Sequence, residues 1–132
     1  ATPANGGVPM PHAILVGQLD LEEVWKAFSP HKKVEGARVQ NWSACFMRND
    51  AKQLLFRCIA RDLGVTQTFF AVVEDKGKSF TVKCVDDPNL EKGPIIQQMI
   101  ARISSDLIDR GLRLDKTNLA DLQEINSPEE AE

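Results

Sequence analysis

The residues of this chain that could carry out chemistry are first of all its three cysteines and two histidines. A cysteine nucleophile needs a histidine or a helix N-terminus to stabilise the thiolate, in a cleft that a substrate can enter. Cys58 and Cys84 lie in predicted strands, on the same faces as Phe56 and Phe80, so we expect both thiols in the core. A predicted β-bulge leaves the direction of Cys45 open. Structural roles are therefore expected for the cysteines.

Metal-binding and acid–base patterns are not found in the spacing of the sequence. Neither His12 nor His31 has a cysteine, histidine or aspartate at zinc-type spacing, so we expect no metal and no cofactor. The adjacent carboxylates Asp86-Asp87 and Glu22-Glu23 point in different directions along a strand or helix and suit turn and capping roles. The sequence favours a protein without catalytic residues. An enzyme assembled from scattered residues such as Cys45, His12 and His31 is the alternative.

Four β-type segments follow one another between Ala37 and Val85, with short turns at Asn49–Lys52, Asp62–Gly64 and Asp75–Lys78. Strands joined by such short turns pair antiparallel, because a parallel return needs a crossover of about a dozen residues or more. A fifth strand is predicted at His12–Leu19.

Two helices and a short third one accompany these strands. Asp20 is predicted to cap the first helix, whose apolar stripe ends at Phe28. A long helix is predicted between Gly93-Pro94 and Gly111. A last short helix is expected from Thr117 to Ile125.

The predicted fold is one α+β domain with two layers, built on a five-stranded, mostly antiparallel sheet in the order β-α-β-β-β-β-α. A small, partly open barrel capped by the long helix is the alternative. We expect a flexible tail at residues 1–11, the domain at 12–125 and an acidic, frayed tail at 126–132. The expected core contacts join the two helices to the sheet through Trp25, Phe28, Ile96, Ile100 and Ile103 on one side and Phe56, Phe70, Val72, Phe80 and Val82 on the other.

Charge and composition favour a soluble, cytoplasmic protein. The net charge is −3, with eight basic and five acidic residues in 1–61 and eight and fourteen in 62–132, so the folded surface could have two poles. The odd number of cysteines suggests a reducing compartment. No apolar segment is long enough to span a membrane and the net charge disfavours acidic membranes, so no membrane partner is expected. Nucleic acid is not expected, because Trp42, Phe46 and Phe56 are predicted in the core; Trp42, Ala44 and Phe46 are placed on one shared face.

The third predicted strand carries the first candidate site. One of its faces is apolar and expected in the core. The other face alternates aliphatic and cationic side chains and would suit a partner with apolar and acidic groups: Leu55, Arg57, Ile59 and Arg61.

The second candidate site is a cavity between the long helix and the sheet. An apolar or lipid-like small molecule held there would be lined by Ile96, Met99, Ile100, Ile103, Phe70 and Phe80. The sequence thus favours a non-catalytic interaction module that binds a protein or forms a homodimer through the sheet face or edge. A carrier of an apolar molecule is the first alternative and an enzyme the second.

Overall fold

The computed structural model describes residues 10–91 and 93–123. In chain order the elements are β1 (His12–Val16), α1 (Leu21–Ala27), β2 (His31–Glu35), β3 (Arg38–Met47), β4 (Gln53–Asp62), β5 (Val65–Asp75), β6 (Ser79–Cys84), α2 (Pro94–Asp109), β7 (Arg113–Thr117) and α3 (Ala120–Gln123).

The strands form one open antiparallel sheet in the order β2-β3-β4-β5-β6-β1-β7. The predicted α+β class and the antiparallel pairing are confirmed, but five strands is wrong, because β2 and β7 were not predicted. Both are five-residue edge strands with mostly exposed side chains. An edge strand rich in charge carries no alternation of apolar residues, so the sequence pattern could not reveal it.

The predicted starts and stops of the two main helices are confirmed. The Asp20 carboxylate accepts a hydrogen bond of 2.9 Å from the amide of Glu22, which caps α1. Pro94 occupies the first turn of α2, and Gly111 follows its end with φ of 118°. Thr117, however, lies in β7, and α3 begins only at Ala120.

All three helices bury their apolar side chains on one side of the sheet, which we call the inner face. In β4 the inner residues are Leu54, Phe56, Cys58 and Ala60, which join Ile96, Met99 and Ile100 of α2 in one core. Trp25 was predicted in this core, but it is 38% exposed. The seven-residue helix α1 buries only Leu21 and Val24, because it is too short to present a longer stripe.

The central strand β5 has apolar residues on both faces, and only its pairing register with β4 shows which of them face the helices. Arg57 is opposite Phe70 and Leu55 is opposite Val72, and directly opposed residues share a face. Phe70 and Val72 therefore lie on the outer face, away from the helices. Their predicted contact with α2 is wrong, and Phe69, Ala71 and Val73 fill the core instead.

A β-bulge at Ser43 interrupts the pairing of β3 with β4, close to the predicted bulge. Before it Trp42 points into the core, and after it Cys45 and Met47 pack against the core. The expectation that Trp42 and Phe46 share a face is therefore wrong. Phe46 turns to the outer face and is 53% exposed, because the extra residue shifts the alternation by one position.

The two ends of the described chain are joined beside β1. The Asn118 side chain accepts from the amide of His12 and donates to the carbonyl of Met10, both at 2.9 Å. Met10 packs against the core and Pro11 is buried. Residues 1–9 of the predicted first tail, and the whole second tail at 126–132, lie outside the described residues. No helix in the described ranges is long and apolar enough to cross a membrane.

A two-residue turn joins β4 to β5, with Asp62 paired to Val65 across it. Leu63 has φ of 53° and Gly64 has φ of 79°, the pattern of a type I′ turn. Asparagine or glycine normally occupies the first position, because a branched side chain is strained at positive φ. Leu63 is also 88% exposed, so it gains almost no burial in return.

We predict that Leu63→Asn stabilises the fold by about 1 kcal/mol and raises Tm by about 3 to 5 °C. Leu63→Val should lower stability, since a β-branched residue is strained further at positive φ. Thermal and urea unfolding followed by circular dichroism measure both changes. Equal stability of the asparagine and valine variants would contradict the assignment of this turn.

Candidate functional site

The outer face of the sheet is not covered by the described helices. The core cluster, together with the residues packed against it, contains no side chain registered to this face. Six cations occupy registered outer positions, against one carboxylate, Glu74; the cations are Lys32, Arg57, Arg61, Lys83, Arg113 and Lys116. Asp115 is the extra residue at the irregularity between β7 and β1 and has no register partner.

Apolar side chains cross this cationic face on a diagonal. Phe46, Leu55 and Val72 are aligned across three neighbouring strands, and Phe70 lies one step along β5. Val72 is buried, although no helix covers it, because the side chains of the neighbouring strands enclose it. The diagonal continues through Ile59 to Val39 of β3 on one side and to Ile14 and Val16 of β1 on the other, each one strand from an edge of the sheet.

Arg57 lies at the centre of the outer face and is held by the bulge. Its Nη1 donates to the Ser43 hydroxyl at 3.1 Å, and that hydroxyl donates to the Arg57 carbonyl at 3.1 Å. The guanidinium is therefore positioned beside Phe70 and Ala44, its register partners. A charged group fixed before binding loses less conformational entropy when a partner pairs with it.

The carboxylate of Glu74 does not offset the remaining cations. It lies 3.7 Å from Lys83 Nζ and 4.0 Å from Lys76 Nζ, and it accepts from Gln53 at 3.1 Å. Arg57 and Arg61 form no ion pair within the described residues. The predicted set Leu55, Arg57, Ile59 and Arg61 thus lies together on one open face.

Sequence reasoning missed several members of this surface. Phe46 was placed in the core because the position of the bulge was uncertain by two residues. Arg113 and Lys116 belong to an edge strand that the pattern does not reveal. The alternation of β6 already predicts that Lys83 points away from the core, although the predicted site did not include it.

A second concave site is a groove of about 450 Å³ between α1 and the C-terminal half of α2. Its floor contains Trp42, Phe56 and Ile103, and its rim contains His31, Arg102, Asp106, Asp109 and Arg110. The His31 ring stacks on Trp42 with ring centres 4.8 Å apart. Arg102 lies 5.5 Å from the centre of the same ring and 3.5 Å from Asp106. The groove therefore has an apolar base and a rim with both signs of charge.

The residues predicted to line an apolar cavity are not all brought together. Ile96, Met99 and Ile100 are fully buried in the core, and Phe80 is buried there as well. Ile103 alone of the set lines the groove. Phe70 lies on the outer face, across the sheet from α2.

The scattered candidates for catalysis are separated by the sheet. His12 is opposite Lys83 on the outer face, whereas Cys45 and His31 are on the inner face. The part of the chain that the structure describes contains no group of three or more histidine, cysteine or acidic residues that could hold a metal ion. Burial raises the pKa of the Cys45 and Cys58 thiols from 9.0 to about 12, which suppresses the nucleophilic thiolate.

We predict that iodoacetamide labels Cys45 at pH 9 at least 100-fold more slowly in the native protein than in urea. With a pKa of about 12, its thiol is ionised in only about one molecule in a thousand at this pH. A Cys45→Ala variant shows which part of the labelling signal comes from Cys45, and fast labelling of native Cys45 would refute its protected state.

The raised pKa of the two thiols also affects stability. Above pH 9 the thiols of the unfolded chain ionise while Cys45 and Cys58 stay protonated in the fold, so the free energy of unfolding should fall as pH rises.

Comparison with known proteins assigns no family to this chain. No family model, no curated protein and no solved structure matches it. Functional proposals therefore rest on the geometry and chemistry of the chain's own residues.

Proposed function

We propose that this protein is a non-catalytic interaction module whose outer sheet face binds an acidic, apolar-containing segment of another protein. The supporting observation is the excess of six registered cations over one carboxylate, around a diagonal of apolar side chains. Apolar contacts provide affinity, and the cations select acidic partners and speed their encounter. The odd number of cysteines, three, fits a reducing compartment, and the cytoplasm is the location we propose.

The charge of this face disfavours two other partners. A second copy would oppose the same cations face to face, and like charges placed together at an interface cost free energy. Single-stranded nucleic acid needs several exposed rings for stacking, but Phe46 and Phe70 are the aromatic residues at the centre of this face and aliphatic side chains separate them. An acidic polypeptide with Leu, Ile or Phe complements both features.

We predict that selection from a library of random 16-residue peptides enriches sequences with Asp or Glu next to large apolar residues. Arg57→Gln combined with Arg61→Gln should lower the affinity for the enriched peptides at least tenfold, since each arginine supplies a positive charge on the outer face. Calorimetry measures the affinities, and amide chemical shifts should move in β3, β4 and β5.

The matched control combines Arg102→Gln with Arg110→Gln. This variant has the same net charge, but its changes lie on the helical side of the sheet, so peptide affinity should be unchanged. Equal weakening of peptide binding by both variants would mean that the effect depends on net charge and not on the outer face. Tighter binding of a single-stranded 20-nucleotide DNA than of any selected peptide would replace the proposed partner with nucleic acid.

The groove of about 450 Å³ supports a second function, a carrier of an apolar small molecule held between long helix and sheet. Its base of Trp42, Phe56 and Ile103 would take an acyl chain or a flat ring. The charges of Arg102 and Asp106 at the rim would orient a polar head group.

We predict that a fluorescent fatty acid binds the wild-type protein and that Ala27→Trp lowers its affinity at least fivefold. Ala27 is an exposed residue of the groove lining, so the larger side chain fills part of the space without entering the core. Lys26→Trp adds the same ring one position away, outside the lining, and should bind normally. Binding that neither substitution changes would place the fatty acid elsewhere.

A further inference from the structure

We propose that one end of the sheet inserts into anionic lipid surfaces. This end, which we call the apolar tip, is formed by the β2–β3 turn at Gly36-Ala37, the β4–β5 turn at Leu63-Gly64 and the adjacent strand residues Val34 and Val65. β2 and β4 run in the same direction in the antiparallel sheet, so both turns lie at the same end, about 10 Å apart across two strand spacings. The apolar tip borders the outer face that is proposed to bind peptides, and it shares the cations Lys32 and Arg61 with that face.

Three of the most exposed large apolar residues in the described chain belong to the apolar tip. Leu63 is 88%, Val34 62% and Val65 57% exposed. Leu63 additionally occupies a strained position that asparagine would fill at lower cost. A residue that is both strained and exposed contributes little to the stability of the fold, which points to a role other than folding, such as binding.

Charges near the apolar tip leave a positive excess. Lys33 lies 3.9 Å from Glu35 and Arg38 lies 3.5 Å from Asp62. Lys32 and Arg61 have no ion-pair partner within the described residues. Unpaired cations behind apolar side chains complement a surface that is anionic at its head groups and apolar beneath them.

The distribution of the apolar groups favours a lipid surface over a folded protein. Val34 pairs with Val39 on the outer face, whereas Val65 pairs with Asp62 on the inner face. Apolar groups thus flank Leu63 on both sides of the sheet. A protein surface would cover one side, but a bilayer interface surrounds the inserted end. The sequence predicted no membrane partner, from the net charge of −3 and from the lack of a spanning segment, but a peripheral contact needs no spanning segment and depends on local rather than net charge.

The test is co-sedimentation of the full chain with vesicles of phosphatidylcholine containing 30% phosphatidylserine. We expect binding to these vesicles, weaker binding at 0.5 M salt and none to phosphatidylcholine alone. Leu63→Asn should lower binding at least fivefold although it stabilises the fold, so misfolding cannot explain the loss. Leu63→Phe should bind at least as well as wild type.

The matched control is Ala51→Asn, which introduces the same residue at another non-glycine position with positive φ, 59°, in the β3–β4 turn at the opposite end of the sheet. Its vesicle binding should equal that of wild type. A Leu63→Trp variant should show blue-shifted emission and quenching by brominated acyl chains relative to wild type. Unchanged emission would mean head-group contact only. That result, wild-type failure to bind, or full binding by Leu63→Asn would each overturn the proposal.

Discussion

Registered pairing of β4 with β3 and β5 is the constraint on which the remaining structure depends. Ten consecutive residues of β4 each have an opposite residue in β5, so the direction of one side chain determines the directions of its neighbours. Once Leu54 and Phe56 enter the core, Leu55 and Arg57 must leave it. The inner face then accepts the apolar side of α2, and the cations accumulate on the other side.

The bulge at Ser43 is the point at which the pairing register between β3 and β4 is interrupted. Without it, Ala44 and Phe46 would follow Trp42 into the core; with it, Cys45 and Met47 take their place. The same serine holds the Arg57 guanidinium. One inserted residue therefore exposes an aromatic ring, shields a thiol and positions a cation, which links the packing of the core to the chemistry of the outer face.

Local patterns predicted the elements that bury an apolar face, and they failed where burial is small or two-sided. The sequence predicted β4 and β6 from the alternation of apolar residues, and α2 from its apolar stripe, because each of these elements buries one side. β2 exposes four of its five residues and β7 three of five, so neither strand has an alternating pattern of buried apolar residues. In β5, Phe69 and Phe70 are equally apolar, and only the register with β4 decides which one faces α2. The same limit applies to the cations of the candidate site. Arg57 and Arg61 could be predicted because they alternate with buried residues in β4, whereas Arg113 and Lys116 could not, because they lie in the edge strand β7.

The distribution of charge has a consequence for motion before contact. The chain is negative overall, at −3, yet its outer face is cationic, while α1, with Glu22, Glu23 and Lys26, and α2, with Arg102, Asp106 and Asp109, each have one net negative charge. Such a molecule has an electric dipole directed across the sheet. In the field of an acidic protein partner it would rotate until the outer face points forward, at distances up to about 8 Å in physiological salt. Productive orientation would then precede collision, and the association rate would fall steeply with ionic strength.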